Sequence, residues 1–321
     1  MKPKTSSPRP PAIMAPAPIG ILGLGIMGSA IAGNLIKAGF HVVGFDPKLQ
    51  LRARLTRSGG QAARSVTEVA TRAEVILSCL PSPGALDQCI RELADAPIKG
   101  LVVIETSTLA VTDKEAARRL LADRGATLLD CPLSGTGAQA RNKDLTVYAS
   151  GSPKEIRRLG AVFEGFAKAH HDLGAFGNGM KMKLMANLLV AVHNVAAAEA
   201  LLLGERWGIP GKQATQILSG GAGGSRMLEV RGPMMAERGW DQATMKVSVW
   251  QKDMSLIGQA LAETCTAAPL FSATIALYNA AVGLGHGEHD TAAVFDVLSR
   301  MSSAGVRAAA GKPRRARRSS R

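Results

Sequence analysis

The stretch GILGLGIMGSAIAGNLIKAGFHVVGFD, at positions 20–46, does most to limit what this chain can fold into. An apolar run ends in three glycines with the spacing G-x-G-x-x-G, Gly23, Gly25 and Gly28, and a helical pattern follows. A second apolar run then ends on Asp46. This order predicts a strand, a tight turn, a helix and another strand, which is the opening unit of a parallel sheet covered by helices.

The glycines and the acid together indicate a dinucleotide site. The first glycine permits the tight turn, the second lets the backbone approach a pyrophosphate, and the third lets the helix pack on the strand. The helix N-terminus offers free amides to the phosphates, and a carboxylate in this position accepts hydrogen bonds from a ribose. The predicted cofactor, NAD with NADP possible, is held by Gly23, Leu24, Gly25, Ile26, Met27, Gly28 and Asp46. The alternative is that the glycines serve packing alone and Asp46 caps the next helix.

The pattern of apolar residues divides the chain into two halves. As far as residue 174, strand-like runs alternate with helical stretches; the runs are PIGILGLG, HVVGFD, EVILSCLP, LVVIETST, TLLDCPL, LTVYASG and HHDLG. Beyond residue 177 the pattern is helical, with one long helix to about Gly204 and shorter ones near 210–219, 242–263, 268–284 and 290–301. Strands that alternate with helices predict a doubly wound sheet.

We therefore predict an α/β Rossmann-type N-terminal domain with a parallel-rich doubly wound sheet, joined by a long helix to an all-α C-terminal domain. The expected bounds are 18–176 for the NAD-binding domain and 177–304 for the helical substrate and dimerisation domain. Residues 1–17 and 305–321 are expected to be disordered tails.

The net charge of +14 is concentrated at the ends of the chain. Residues 1–20 have three basic side chains and residues 301–321 have seven, with no acid in either, so +4 remains for the rest. This distribution predicts a solvated basic tail, GKPRRARRSSR, with weak polyanion binding as the alternative. The four cysteines have no metal-ligand spacing, and we expect buried, reduced thiols and no metal. Without a signal peptide or an uninterrupted membrane-length apolar run, a soluble cytoplasmic protein is expected.

Four stretches, in order along residues 18–303, resemble the β-hydroxyacid dehydrogenase family, which belongs to the 6-phosphogluconate dehydrogenase superfamily. They are the glycine turn, DCPLSGTGAQA at 130–140, GNGMKMKLMAN at 177–187 and QKDMSL at 251–256. The resemblance implies hydride transfer between a nicotinamide and a small β-hydroxy acid, such as 3-hydroxyisobutyrate, tartronate semialdehyde or threonate. The stretch GGAGGSRMLEVRGPMM is similar to the threonate branch.

The resemblance also implies roles for particular residues. Lys183 is the general acid and base, and Asn187 is its partner. Ser134, Gly135 and Thr136 bind the substrate carboxylate; Leu80, Pro81 and Thr108 line the cofactor; Lys252 meets both cofactor and substrate. Two residues depart from the family pattern: Thr136 replaces a loop glycine, and Ala186 replaces the first of two asparagines.

The residues support part of this without the family. On one helix, Lys183 and Asn187 lie one turn apart and Asn194 returns to nearly the same face, so a polar stripe crosses an apolar helix. Such a stripe needs solvent, a buried partner or a ligand, because unpaired buried polar groups are costly. A lysine can move a proton near neutral pH if desolvation lowers its pKa. A merely solvated face is the alternative.

Two other functions compete with a hydroxyacid dehydrogenase. An imine reductase shares the architecture, but that group usually lacks a lysine at the position of Lys183. A catalytically idle NAD-binding module would not need Ser134, Lys183 and Asn187 together. The expected partners are a small hydroxy acid and, because long apolar helices need cover, further copies of the chain in a homodimer or homotetramer. No specific nucleic acid or membrane partner is expected.

Overall fold

The computed structural model describes residues 17–310, with side chains as far as residue 302. The predicted tails, 1–17 and 305–321, lie mostly outside these residues. The backbone of the last helix continues to Ala310, six residues into the second of them.

A six-stranded sheet forms the centre of the N-terminal half. All its strands are parallel, in the order β3-β2-β1-β4-β5-β6. Their bounds are β1 (Ile19–Leu22), β2 (Val42–Phe45), β3 (Gln61–Ala62), β4 (Val75–Ser78), β5 (Val102–Glu105) and β6 (Thr127–Asp130). Strands β1, β4 and β5 are buried throughout, as a sheet covered on both faces requires. The predicted doubly wound sheet is confirmed.

Helices cover both faces of this sheet. Alternate residues of β1 enter different cores: Ile19 and Ile21 pack on one face, and Leu22 packs on the other. The helices of this half are α1 (Ile26–Lys37), α2 (Leu49–Arg57), α3 (Val66–Arg72), α4 (Pro83–Ala94), α5 (Val111–Ala122), α6 (Gly137–Arg141), α7 (Pro153–Arg158) and α8 (Gly160–Phe166).

The last three strands form a separate small sheet. They are β7 (Leu133–Ser134), β8 (Thr146–Ala149) and β9 (Ala169–Asp172), with β7 antiparallel and β9 parallel to β8. Strand β7 follows β6 after two residues, which leaves no room for the crossover that a parallel neighbour needs. The chain therefore leaves the main sheet at this point.

The second half is helical, as predicted. Its helices are α9 (Asn178–Arg206), α10 (Gly211–Ser219), α11 (Arg226–Glu237), α12 (Val247–Glu263), α13 (Pro269–Gly283) and α14 (Val294–Ala310), with a 3-10 turn at Thr291–Ala293. Helix α11 was not predicted. Helix α12 begins later than expected because Asp290 Oδ2 accepts the amides of Thr244 and Met245, at 2.7 and 3.0 Å, and holds them outside the helix.

Helix α9 is the central element of this half. Its residues Ala198 and Leu201 pack in a core with Trp250 and Phe295 from other helices. Within the described chain, α9 is the one helix whose length and mean hydropathy of 1.6 would allow it to cross a membrane, and 44% of that apolar window is buried in the fold.

Candidate active site

The order of the main sheet reverses between β1 and β4, and ligands of open α/β sheets bind at the carboxyl ends of such strands. The loop after β1 is the glycine turn, and the loop after β4 contains Leu80 and Pro81. The predicted cofactor residues are thus brought to one edge of the sheet.

The three glycines of the turn have different surroundings. Gly23 has a φ of +87°, and a Cβ there would lie 2.3 Å from the carbonyl oxygen of Cys79. A Cβ on Gly28 would lie 1.9 Å from the carbonyl oxygen of Gly23. Apart from its two neighbours in the chain, a Cβ on Gly25 would have no atom of the described residues within 4 Å. Packing therefore demands two of the glycines, whereas Gly25 leaves open space before the first turn of α1, which fits a bound pyrophosphate.

Asp46 anchors this turn. Its buried carboxylate accepts the amide of Leu24 at 2.9 Å through Oδ2 and the amide of Lys48 at 2.9 Å through Oδ1. The Leu24 side chain is fully buried, whereas Ile26 is 73% exposed at the start of α1. Each carboxylate oxygen retains a further lone pair, so the anchoring role is compatible with a ribose contact.

The loops after β4 and β5 are tied to each other. The amide of Leu80 donates to Ser107 Oγ at 2.8 Å, and Thr106 Oγ1 donates to the carbonyl oxygen of Ser78 at 2.7 Å. Burial raises the pKa of the neighbouring Cys79 thiol to about 12, which disfavours the reactive thiolate. The prediction that all four cysteines are buried holds for Cys89 and Cys131 but is wrong for Cys265, which is exposed, and for Cys79, which is half-buried. Pro81 is exposed at the edge of this region.

The predicted substrate loop lies against the glycine turn. A Cβ on Gly137 would come within 2.4 Å of Ile26 Cγ2, at the start of α1. Gly135 has a φ of +134°, which favours glycine. Thr136 does more than add bulk: its hydroxyl accepts the amide of Gln139, and its own amide donates to Gln139 Oε1, which caps α6. Ser134, on β7, is half-buried.

Lys183 is a half-buried lysine in the second turn of α9. Among the described residues, its ammonium has no hydrogen bond or ion pair. Burial lowers the pKa of Lys183; the Asp253 carboxylate opposes the shift, and the Lys252 ammonium adds to it. A lysine with a lowered pKa is suited to give and take a proton.

Asp253 links the other polar side chains of the site. Its Oδ2 accepts a hydrogen bond from Asn187 Nδ2 at 2.9 Å, and its Oδ1 lies 3.3 Å from Lys252 Nζ. Lys252 also donates to the carbonyl oxygen of Thr108, so α12 is joined to the loop after β5 across the two halves. The structure thereby connects the predicted residues Asn187, Lys252 and Thr108.

Asn194, the third residue of the predicted polar stripe on α9, lies in the C-terminal core and not at the candidate site. Its Nδ2 donates to Tyr278 Oη at 3.0 Å and to the carbonyl oxygen of Thr291 at 3.0 Å, and the residue is fully buried. These contacts join α9 to α13 and the turn that follows it. Asn194 therefore has buried partners in the C-terminal core, which was one of the outcomes expected for a polar stripe.

Sequence reasoning gave Asp253 no role beyond its place in the QKDMSL stretch, and it did not find a buried ion cluster of Glu105, Lys114 and Asp130. Lys114 Nζ lies 2.7 Å from Glu105 Oε2 and 2.7 Å from Asp130 Oδ1. A signal existed in α5, where Lys114 occupies a buried stripe with Ala117 and Leu121 at helical spacing. A lysine at such a position needs a partner.

Comparison with known proteins decides the family. The sequence-family model for the NAD-binding domain of 6-phosphogluconate dehydrogenase matches residues 18–200. A second family model, for the NAD-binding region of NADP-dependent 3-hydroxyisobutyrate dehydrogenase, matches residues 177–298. L-threonate dehydrogenase of Cupriavidus necator is 30% identical over 284 residues, which are 87% of this chain and 95% of that protein. The chain belongs to the β-hydroxyacid dehydrogenase family.

Further members of the β-hydroxyacid dehydrogenase family agree over most of their length. A probable 3-hydroxyisobutyrate dehydrogenase of Mycobacterium bovis is 29% identical, over 83% of this chain and 92% of its own. The crystal structure of 3-hydroxyisobutyrate dehydrogenase from Salmonella typhimurium has a TM-score of 0.79 and 29% identity, covering 87% of this chain and 99% of that one. The predicted family, enzyme class and NAD(P) cofactor are confirmed.

Proposed function

We propose that this enzyme transfers hydride between NAD(P) and a small β-hydroxy acid, with Lys183 as the proton carrier. The observation that carries the proposal is the half-buried Lys183 ammonium, which lacks a hydrogen-bonding partner among the described residues and whose pKa is lowered by burial. A half-buried lysine that only stabilised the fold would be expected to form an ion pair.

The chemistry divides between cofactor and protein. The nicotinamide, when bound, accepts or supplies the hydride. In the direction of oxidation, the neutral Nζ of Lys183 takes the proton of the substrate hydroxyl; in the direction of reduction, the ammonium returns it. Asn187 uses one N–H on Asp253 and keeps its second N–H and its carbonyl oxygen to orient the substrate or Lys183.

Other predicted residues would hold the ligands. Gly25 and the first turn of α1 supply amides for the pyrophosphate, and Asp46 would accept the adenosine ribose. For the substrate carboxylate, the candidates are the polar groups of the loop that starts at Ser134, together with Lys252. The resulting substrate is a small hydroxy acid of the 3-hydroxyisobutyrate, tartronate semialdehyde or threonate type.

The competing functions receive less support. An imine reductase would not need the lysine at position 183, and the similar dehydrogenases act, by their names, on threonate and 3-hydroxyisobutyrate. A catalytically idle NAD-binding module would not require a lysine with a lowered pKa beside Asn187 and Asp253.

The proposal includes a cytoplasmic homodimer or homotetramer. Helix α9 presents Met185, Leu189 and Leu203 to the surface, at 62%, 52% and 49% exposure, on the face turned away from its core. Large apolar side chains exposed together favour contact with another subunit. Light scattering of the wild-type protein should show more than one chain per particle, and Leu189→Glu should lower the particle mass. A monomeric mass for both the wild type and this variant would contradict the proposal.

The deciding experiment is turnover of C3 to C6 hydroxy acids, followed by NADH absorbance. Lys183→Ala should lower kcat by at least about 10²-fold, the usual contribution of a general acid or base. Lys183→Arg keeps the charge but cannot release its proton near neutral pH, so it should bind substrate and remain almost inactive. Lys181→Ala, on the same helix and exposed, is the matched control and should keep wild-type turnover.

Two results would contradict the proposal. If Lys183→Arg retains a tenth or more of the wild-type kcat, Lys183 is an electrostatic anchor and Lys252 becomes the first candidate for the proton carrier. If wild-type enzyme oxidises none of the hydroxy acids, the substrate class is wrong.

A further inference from the structure

The ion cluster of Glu105, Lys114 and Asp130 takes no part in the proposed chemistry. All three side chains are fully buried, and Lys114 bridges the two carboxylates. Burial by itself lowers the pKa of Lys114, but the carboxylates outweigh it and hold this pKa above its ordinary value, so the lysine is charged.

Stability alone explains such a cluster poorly. Removing three charges from water is costly, and buried ion clusters replaced by apolar side chains of similar volume often leave a protein equally stable. A lysine on the buried face of α5, beside Ala117 and Leu121, takes a position where an apolar residue would pack. The groups attached to the carboxylates suggest another role.

Glu105 holds the cofactor side of the site. Its Oε1, the oxygen not facing Lys114, accepts the amide of Ser107 at 2.9 Å. The hydroxyl of Ser107 in turn accepts the amide of Leu80 at 2.8 Å. One carboxylate thus fixes the loops that follow β5 and β4, where Leu80 and Thr108 are the predicted cofactor residues.

Asp130 holds the start of the helix that carries Lys183. Its Oδ2 accepts the amide of Met180 at 2.8 Å and the hydroxyl of Ser150 at 3.1 Å. Ser150 Oγ also accepts the amide of Gly179 at 2.9 Å. A Cβ on Gly179 would lie 2.4 Å from the carbonyl oxygen of Tyr148, so the helix end and β8 are in close contact.

We propose that Lys114 is a positioning residue that couples the cofactor-side loops to the first turn of α9. A path of charged and hydrogen-bonded groups runs from Leu80 through Glu105, Lys114 and Asp130 to Met180, three residues before Lys183. A shift of the loop on cofactor binding is thereby transmitted to the helix. The inference rests on the proposed function only in giving Lys183 the proton transfer, and the coupling itself can be measured without turnover.

Amide hydrogen exchange with and without NADH tests the coupling in the full-length protein. In wild type, NADH should slow amide exchange in the peptide that contains Leu80 and also in the peptide that contains Met180. At Met180 the slowing should be at least about fivefold, which is the lower end of the usual coupling between two sites. In Lys114→Met, the Leu80 peptide should still be protected, and the protection at Met180 should fall below about twofold. Arg119→Met, an exposed change on the same helix, should behave as wild type.

Turnover gives an independent readout. Lys114→Met should lower kcat about tenfold or more per folded molecule while the NADH Kd changes less than about threefold, since misplacement of Lys183 affects chemistry more than cofactor binding. Phe163→Leu, in the core on the opposite face of the sheet, provides a destabilised variant whose coupling should remain intact. If the wild-type enzyme is inactive on hydroxy acids, the proposed function fails and the exchange experiment still decides the coupling.

A second variant covers the case in which Lys114→Met does not fold. Ser150→Ala removes one neutral hydroxyl beside Asp130 and leaves all three charges, and it should reduce the protection at Met180 at least twofold. The proposal would be overturned if NADH protected the Met180 peptide as strongly in a folded Lys114→Met or Ser150→Ala variant as in wild type. It would also be overturned if NADH gave the Met180 peptide no protection in wild type.

Discussion

Gly25→Ala and Gly28→Ala add the same methyl group to one turn, yet we expect opposite consequences. At position 28 the methyl group would lie 1.9 Å from the carbonyl oxygen of Gly23, which moves only if the whole turn moves. Overpacking of this kind costs about 1–3 kcal/mol. For a domain of this size that cost lowers Tm by about 2–12 °C.

At position 25 the protein itself accepts the methyl group. Gly25 has an extended backbone, with φ −64° and ψ −159°, and apart from its two neighbours in the chain the described residues offer no atom within 4 Å of its Cβ position. We expect Tm to change by no more than about 2 °C, because the gain from a stiffer unfolded chain offsets a poorer helix cap. The pyrophosphate would lose its close approach to the backbone.

The loss of binding can be put in numbers. A hydrogen bond to a charged group is worth about 1.5–3 kcal/mol, so one lost amide contact should raise the NADH Kd about 10- to 150-fold. Fluorescence titration gives Kd, and calorimetry gives Tm. Gly33→Ala, on the same helix with open space at its Cβ, is the control that should leave Kd unchanged.

If Gly25→Ala binds NADH as tightly as wild type, the glycine pattern serves packing alone. If it lowers Tm as much as Gly28→Ala does, the space before α1 is not as open as the contacts indicate.

Three further predictions concern pH, cofactor choice and the C-terminal segment. Because the Asp253 carboxylate opposes the lowering of the Lys183 pKa by burial, Asp253→Asn should lower this pKa further and shift the ascending limb of the pH profile of kcat/KM for oxidation to lower pH. A limb that does not move would show that Asp253 does not influence the group that titrates. Asp46 should favour NAD over NADP in kcat/KM, because its carboxylate would repel a 2′-phosphate, and a tenfold preference for NADP would disprove this. Removal of residues 311–321 should leave kcat unchanged, since no candidate site residue lies there, and a large loss would give that segment a role in catalysis.

Local patterns were sufficient to predict most of the fold. Apolar runs and glycine turns led to the main sheet, and the absence of glycine and proline between Gly179 and Gly204 led to helix α9. Helix α11 was missed because a glycine-rich stretch at 220–224 precedes it and Pro233 lies inside it, and both features usually end helices. Strand β3, with two residues, is too short for an alternating pattern.

The candidate site was harder to predict, because its contacts join residues far apart in the chain. Asn187 and Asp253 are 66 positions apart, and Lys252 meets Thr108 across 144. No spacing rule connects such pairs. The bond between Asp46 and the Leu24 amide likewise depends on how two loops meet at the edge of the sheet. Sequence patterns indicated the kinds of residue, and tertiary packing determined their partners.

Helix α9, with 29 residues, is about 43 Å long and runs from the small sheet of the N-terminal half into the C-terminal core. Lys183 and the core residues Ala198 and Leu201 therefore lie on the same continuous helix. An attempt to alter substrate choice by exchanging the whole helical half with that of a relative would also replace Lys183, the proposed proton carrier. A chimera with its junction inside α9, after Asn187, would keep Lys183. The later turns of α9 would then come from the relative, and they would have to pack with its C-terminal core. In protein engineering, the workable unit of recombination is thus the helix with everything that packs on it.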